Sequence, residues 1–194
     1  MRENVVRHAF HNQVLKKAHN DTRTFVINEL GLKNGESRAD IAVLNGKMIG
    51  YEIKTENDTL NRLPSQVASY TQIFDCAYII VAENHFKNCL QIIPDWWGVF
   101  LIKNKSADSY IFKKVRNPKL NKNQNAFCIA QLLWKEEALD LAQNVLGLKI
   151  KSKTTRHELY QIISNHVSSR ELSPMVLKYL KIRQEWRKDH LPLL

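Results

Sequence analysis

Apolar residues recur at helical spacing along the first twenty positions. Val6, Phe10, Val14 and Ala18 fall on one stripe with polar and charged residues between them, which predicts an N-terminal amphipathic helix. The period then changes. "TRTFVINELGL" (22–32) is β-rich, with Phe25 and Ile27 on one face and Val26 and Leu30 on the other, and "KNGES" supplies turn residues. "RADIAVL" predicts a second strand, "NGK" a hairpin turn and "MIGYEIKTE" a third strand. Pro64 suits the first turn of a helix along which Leu63, Val67, Tyr70 and Phe74 form one apolar stripe. The continuously apolar "CAYIIVAE" reads as a strand in the middle of a sheet. The predicted order is α-β-β-β-α-β, an α/β fold.

The second half repeats these signals with a more basic composition. A short helix is predicted from His85 to Ile93, and "WGVFLIK" and "SYIFKKV" predict two further strands. "NPKLNKNQN" is a polar, basic loop that divides the chain into residues 1–116 and a helical extension, 117–194. Within the extension Trp134, Ala138, Leu141 and Val145 make a stripe closed by Gly147 as a C-terminal cap, and Leu159, Ile162 and Ile163 mark the next helix. Ser173-Pro174 reads as the cap of a last helix carrying Lys178, Lys181, Arg183, Arg187 and Lys188.

Composition narrows the classes. The 194 residues are 44% hydrophobic and 25% charged, enough for one compact domain with a small appended unit. No run of eighteen apolar residues occurs, and the N-terminal stretch lacks the apolar segment of a secretion signal, so a cytoplasmic protein with no membrane partner is expected. Cys76, Cys89 and Cys128 are odd in number, far apart and set among apolar residues, which makes them packing residues. The net charge of +10 is unevenly divided: Met1 to Asp95 holds 11 Lys+Arg against 11 Asp+Glu, whereas Trp96 to Leu194 holds 18 against 8. A basic excess confined to one half suggests a polyanionic partner, above all nucleic acid.

Within the third strand Gly50, Glu52 and Lys54 share one face, an unusual placement of charge beside a core. Asp40 in the second strand, Glu52-Ile53-Lys54 in the third, and the element order resemble the PD-(D/E)XK nuclease superfamily. Gln66 to Tyr70 on the following helix resembles the QxxxY element of its RecB-type branch. The likeness covers Val5 to Glu83, and the basic helical tail is similar to that of small bacterial and phage-associated members. It implies a restriction-endonuclease-like core, a mixed sheet flanked by helices. Arg38-Ala39 stand before Asp40, so the proline of the family's name is absent.

The chemistry accounts for the residue types. Phosphodiester hydrolysis needs a nucleophilic water and neutralisation of charge on phosphoryl oxygens, both of which a divalent ion supplies. Mg²⁺, or Mn²⁺ in its place, takes hard oxygen ligands; Asp40, Glu52 and the Ile53 carbonyl are the expected set, with Lys54 orienting the water. Unit charges about 4 Å apart interact by about 4 kcal/mol at an effective dielectric of about 20, so the two acids with one lysine remain electrostatically incomplete without a cation. A surface Glu52–Lys54 pair is the competing reading. Gln66 and Tyr70, at i and i+4, either support this site or belong to a solvated face and the Leu63 stripe respectively. Glu29 is a further candidate acid, and Arg38, Asp58 and Arg62 flank the region.

Other groups signal less. His8 and His11 read as a solvated pair, Trp96-Trp97 as core, and Ser65 and Ser69 lack a base; no Gly-rich phosphate loop or small-molecule cofactor motif is present. Lys149, Lys151, Lys153 and Arg156 lead into a helix and faintly resemble a SAP-type DNA-binding module; they are either phosphate contacts or a solvated basic face. The expectation is a metal-dependent DNA nuclease, with a catalytically inactive nucleic-acid-binding protein of the same fold as the alternative and a basic adaptor as a third class. A homo-oligomer is left open.

Overall fold

An antiparallel three-stranded meander and an antiparallel hairpin flank a parallel centre. In the computed structural model, which describes residues 2–106 and 109–183, one six-stranded sheet runs in sequence order: β1 (Phe25–Leu32), β2 (Ser37–Leu44), β3 (Met48–Lys54), β4 (Cys76–Ala82), β5 (Gly98–Ser106) and β6 (Ser109–Arg116). The pairs β1–β2, β2–β3 and β5–β6 are antiparallel, while β3, β4 and β5 run parallel. This is an α/β protein with a mixed sheet flanked by helices. Every residue of β4 is buried, as its unbroken apolar run requires of a central strand.

Strand alternation sends side chains into two apolar layers. On one face α1 (Glu3–Gln13) and α2 (Lys16–Asn20) cover Ile41, Tyr51, Tyr78 and Phe100, with Phe10 edge-on to Phe100 and Phe112. The single N-terminal helix expected from the stripe is thus two, because the chain turns at Val14 and Leu15 and buries Leu15. The other face carries α3 (Leu63–Ile73), α4 (Phe86–Ile92), α5 (Ala126–Ala130), α6 (Lys135–Asp140), α7 (Arg156–His166) and α8 (Ser169–Ile182). Residues of β3, α3, β4, α5, α7 and α8 share one apolar cluster there, among them Met48, Tyr70, Ile79, Ile129, Tyr160 and Leu177.

The 117–125 loop is fastened to the end of α3. Asn121, buried, donates from its side chain to the Thr71 and Phe74 carbonyls at 2.7 and 2.9 Å, Gln124 donates to the Ile73 carbonyl, and the Asn125 N–H donates to Gln72. These bonds satisfy carbonyls that the helix leaves without partners at its end.

Two expectations for the helical part are corrected. The last helix starts at Ser169, not at Ser173-Pro174: Ser168 and Glu171 form a reciprocal capping box, and Ser173 and Pro174 lie inside α8. Ser173 is buried there, its hydroxyl 3.4 Å from Asp75. The Trp134 stripe is only half buried: Ala138 and Leu141 are buried, Trp134 is exposed at the N-cap of α6, and Val145 is exposed at the end of a π-helical turn, Leu141–Val145, before Gly147 closes the segment at φ 67°. Arg187 and Lys188 lie outside the described residues. Among the described residues no helix is long and apolar enough to cross a membrane.

Candidate active site

Gly50, Glu52 and Lys54 alternate along β3 toward α3. A Cβ at Gly50 would lie 2.7 Å from the Phe74 ring and 2.8 Å from the Tyr70 ring, so helix and strand approach this closely only because residue 50 has no side chain. The close approach brings Tyr70 onto Glu52. Its hydroxyl donates toward Glu52 Oε2 at 2.8 Å, with the Tyr51 carbonyl at 3.0 Å. One turn earlier on the same helix face, Gln66 Nε2 donates to Glu52 Oε1, and Lys54 Nζ reaches that oxygen at 2.8 Å. Glu52 and Lys54 are both buried. Tyr70 therefore belongs to the apolar stripe and to the site at once, and neither Gln66 nor Lys54 is a solvated surface group.

Asp40 enters from β2. The β2–β3 ladder ends at Ile41↔Tyr51, and beyond it Asp40 Oδ2 accepts the Ile53 N–H at 2.7 Å in place of a main-chain carbonyl. On the other side, the β1–β2 ladder pairs Asn28↔Ile41 and Leu30↔Ala39 but skips Glu29 and Asp40, which would face each other. Glu29 has φ 56°, a left-handed conformation that costs a non-glycine residue on the order of 1–3 kcal/mol. Both acids thus sit where the sheet is locally opened. Glu29 is held there by Arg7 at 3.1 Å and Arg38 at 3.2 Å.

An open pocket of about 250 Å³ lies over these residues. Six carboxylates line it (Glu3, Glu29, Glu36, Asp40, Glu52, Asp58) against three cations (Arg38, Lys54, Arg62). Burial pushes the Asp40 carboxyl up to about 7, reinforced by the neighbouring Glu52. Burial likewise raises Glu52, with Lys54, Tyr70 and Gln66 pulling the other way, and it holds the Tyr70 phenol well above its usual range. Two neighbouring acids that resist ionisation, Glu52 buried and Asp40 half-buried, would be eased by a cation placed between them. A carboxylate offers about four lone-pair sites; Glu52 uses three and Asp40 one. No group of three His, Cys, Asp or Glu side chains converges among the described residues. A hard ion here would be held by Asp40 and Glu52, completed by the Ile53 main chain and water, which fits Mg²⁺ or Mn²⁺. The Ile53 side chain packs in the opposite layer, so only its main chain faces the pocket.

The flanking candidates Glu29, Arg38, Asp58 and Arg62 all line the pocket. Asp58 also closes the turn after β3 by accepting the Thr55 N–H and hydroxyl at 2.6 and 2.7 Å. Glu3 and Glu36 were not expected, nor was Arg7, which ties Glu3 to Glu29; a Glu-x-x-x-Arg pair on an amphipathic helix has no signal to distinguish it from surface. Lys149, Lys151, Lys153 and Arg156 are exposed around the start of α7 and do not line the pocket. The solvated histidine pair is corrected: His11 is buried, bonded to His19 at 2.8 Å and Asn28 at 2.9 Å, because it faces β1, while His8 bonds Asn12. Trp97 is core against Tyr70, and all three cysteines are buried and free.

The family described as "Bacteriophage P4 protein cII" matches residues 1–192. The chain belongs to that family. Protein cII of Enterobacteria phage P4 is 26% identical to it over 183 residues, covering 94% of this chain and 68% of the phage protein. A solved structure of a protein of unknown function from Silicibacter pomeroyi is similar at TM-score 0.44 and 15% identity, over 74% of this chain and 92% of that one, a likeness too distant to define the fold. The pocket residues from Glu3 to Gln66 and the basic segment before α7 all lie within the span matched to the cII family.

Proposed function

We propose that this cII-family protein is a metal-dependent deoxyribonuclease built on a restriction-endonuclease-like core of the PD-(D/E)XK superfamily, RecB-type branch, acting in the cytoplasm. The names of its relatives carry no chemistry, so the reading rests on the site. What carries it is the convergence of Asp40, Glu52, Lys54 and Gln66, drawn from β2, β3 and α3, on one anionic pocket, with Tyr70 beneath it bonded to Glu52.

Asp40 and Glu52 would hold the ion from adjacent strands. When bound, Mg²⁺ or Mn²⁺ supplies charge neutralisation at the phosphate and a more acidic water. Gln66 and Tyr70 fix the two Glu52 oxygens, so that the carboxylate is oriented before an ion arrives. Lys54, beside Glu52, orients the attacking water and stabilises its hydroxide form. The basic tail, with Lys149, Lys151, Lys153 and Arg156, holds the DNA backbone outside the pocket. In this reading residues 1–116 form the catalytic core and 117–194 the extension.

One observation favours the second reading, a catalytically inactive DNA-binding protein: the Lys54 ammonium and three of the Glu52 acceptor sites are engaged within the protein. A single assay separates the two. Purified protein is incubated with linear, circular, single-stranded and branched DNA in Mg²⁺, Mn²⁺ or EDTA. The nuclease reading expects cleavage that EDTA abolishes, binding without cleavage establishes the second, and neither activity sinks both.

A further inference from the structure

An anionic pocket does not hold a polyanion by itself, and the sheet places a cationic surface beside it. Strands β5 and β6 carry Lys103, Lys105, Lys113, Lys114 and Arg116 and no carboxylate among their described residues. The two strands also outrun their neighbour. Pairing of β4 with β5 ends at Ala82↔Ile102, whereas β5 and β6 stay paired through Lys103↔Ile111 and Asn104↔Tyr110. They form a two-stranded ribbon past the edge of the central sheet.

The ribbon leaves the sheet at the end where the pocket opens, since β3, β4 and β5 are parallel and Lys54 is the last residue of β3. Register puts Lys54 level with Val81 and Leu101, and Leu101 opposite Lys113. Phe100 and Ile102 pack into the α1 layer and Val99 into the α3 layer. Alternation therefore turns Lys103 and Lys113 to the face that carries Glu52 and Lys54. With strands about 4.8 Å apart and a rise of about 3.3 Å per residue, the Lys103 and Lys113 backbones lie roughly 12–14 Å from that of Lys54, a distance of a few nucleotides.

The ribbon is held in place. Asn104 donates to Glu56 Oε1 at 3.2 Å, Asn84 donates to the Glu56 carbonyl at 3.0 Å, and Gln13 donates to the Tyr110 carbonyl at 2.8 Å. Glu56 lies two residues past Lys54, so the ribbon and the site share one support. Lys103 meets Glu83 only at 3.7 Å, with both side chains about half exposed, a contact too weak to occupy its ammonium. Lys105 and Lys113 are exposed.

We infer that Lys103, Lys105 and Lys113 form a DNA-backbone contact surface that sets the path of the strand entering the pocket, separate from the basic segment before α7. The inference rests on the reading of the pocket as the place where a phosphodiester is cut. The test is the binding of a fluorescent DNA duplex in EDTA over a salt series, for wild type and for Lys103→Glu/Lys105→Glu/Lys113→Glu. The expected result is a log–log salt slope flattened by roughly 0.9 for each phosphate no longer neutralised, about 2–3 in all, alike for unrelated sequences. Lys16→Glu/Lys17→Glu/Arg23→Glu, the same change of charge near α2, should leave the slope within about 0.5 of wild type; an equal flattening in both triples would reduce the effect to net charge and overturn the ribbon.

Melting curves check the fold. Lys103→Gln/Lys105→Gln/Lys113→Gln takes the place of the reversal if the latter does not fold, and it should flatten the salt slope to the same extent because the same three ammonium groups are removed. Cleavage by wild type in Mn²⁺ together with wild-type binding by the ribbon variant overturns this inference and leaves the nuclease reading standing. Ribbon-dependent binding with no cleavage in Mg²⁺ or Mn²⁺ overturns the nuclease reading and, with it, the strand path into the pocket, and leaves the ribbon as a DNA-backbone contact surface. No duplex binding by wild type overturns the ribbon surface outright.

Discussion

Lys54 reaches Glu52 at 2.8 Å from the same face of one strand, whereas Arg183 reaches Glu137 from beyond the end of α8, with Nε at 2.8 Å and Nη2 at 2.5 Å. Glu52, Lys54 and Arg183 are buried and Glu137 is half-buried, but the surroundings of the two pairs differ more. Arg183 also donates to the Leu132 carbonyl at 2.7 Å and stacks 4.3 Å from the Trp134 ring, while Glu137 caps α6 by accepting the Trp134 N–H. That pair is closed, its hydrogen-bonding capacity turned on the protein. The Glu52–Lys54 pair stands beside a second, half-buried acid, Asp40, and opens on an anionic pocket. A buried ion pair is by itself weak evidence of stability or of function. What separates these two is the extra carboxylate and the open volume in front of it.

The largest effects should fall on the open pair. Lys54→Ala is expected to lower Mn²⁺-dependent cleavage by about 10³-fold or more, the scale of losing a positioned proton-transfer group in a metal site, while calorimetry still finds the ion bound. Asp40→Ala should lose both cleavage and the ion. Full activity in either variant removes the pocket from consideration.

Breaking the closed pair should leave chemistry and cost stability. Arg183→Leu strands Glu137, with a penalty of about 3 kcal/mol and a Tm lower by about 10 °C for a chain of this size. Cleavage at 25 °C and saturating DNA should stay within about twofold. A loss of activity as large as that of Lys54→Ala would abolish the distinction drawn between the pairs.

A dication should discriminate them as well. A ligand bound only by the native state stabilises it by RT ln(1 + [L]/Kd), about 2.7 kcal/mol at a hundredfold excess over Kd. Mn²⁺ should therefore raise the Tm of wild type and of Arg183→Leu by the same several degrees, and leave Asp40→Asn/Glu52→Gln unmoved. Equal shifts in all three would mark a non-specific ion effect.

How far the sequence already disclosed this arrangement depended on whether a feature is local. The β2–β3 hairpin, the central β4 and the α3 stripe follow from periodicity and turn residues within a few positions of one another; strand alternation brings out Glu52 and Lys54, and the resemblance to the QxxxY element marks Gln66 and Tyr70. Gly50 is visible on the Glu52 face, but its purpose, admitting the Tyr70 and Phe74 rings, depends on how closely a helix thirteen residues away packs. The opened ladder at Glu29 and Asp40 is a register event between strands, and Glu3 joins the pocket through Arg7 and Glu29. Neither leaves a mark in a single segment. Ser173-Pro174 misleads because Ser-Pro is a common helix start; the Ser168/Glu171 box five residues earlier is the stronger start, and the chain obeys it.

The smallest expected effect is a matter of pH, and it isolates Asp40. Its folded carboxyl titrates at about 7 against about 3.9 in the unfolded chain. An acid raised on folding lends stability that is fully present below the unfolded value and is lost as pH rises through the folded one. His11 works in the opposite sense: burial lowers it to about 4, from about 6.5 unfolded, so its contribution is present above about 6.5 and is lost as pH falls through about 4. Because both proteins carry His11, the difference between Asp40→Asn and wild type removes it, and the asparagine oxygen can still accept the Ile53 N–H. In EDTA that difference in Tm should be near zero at about pH 4 and grow in favour of Asp40→Asn to ~5 °C at about pH 8. Saturating Mg²⁺ should close the gap from the wild-type side, since a dication favours the ionised acid. A gap that stays flat from pH 4 to pH 8 would mean that Asp40 is ionised throughout, and the contrast between an open, cation-seeking pair and a closed one would lose its electrostatic basis.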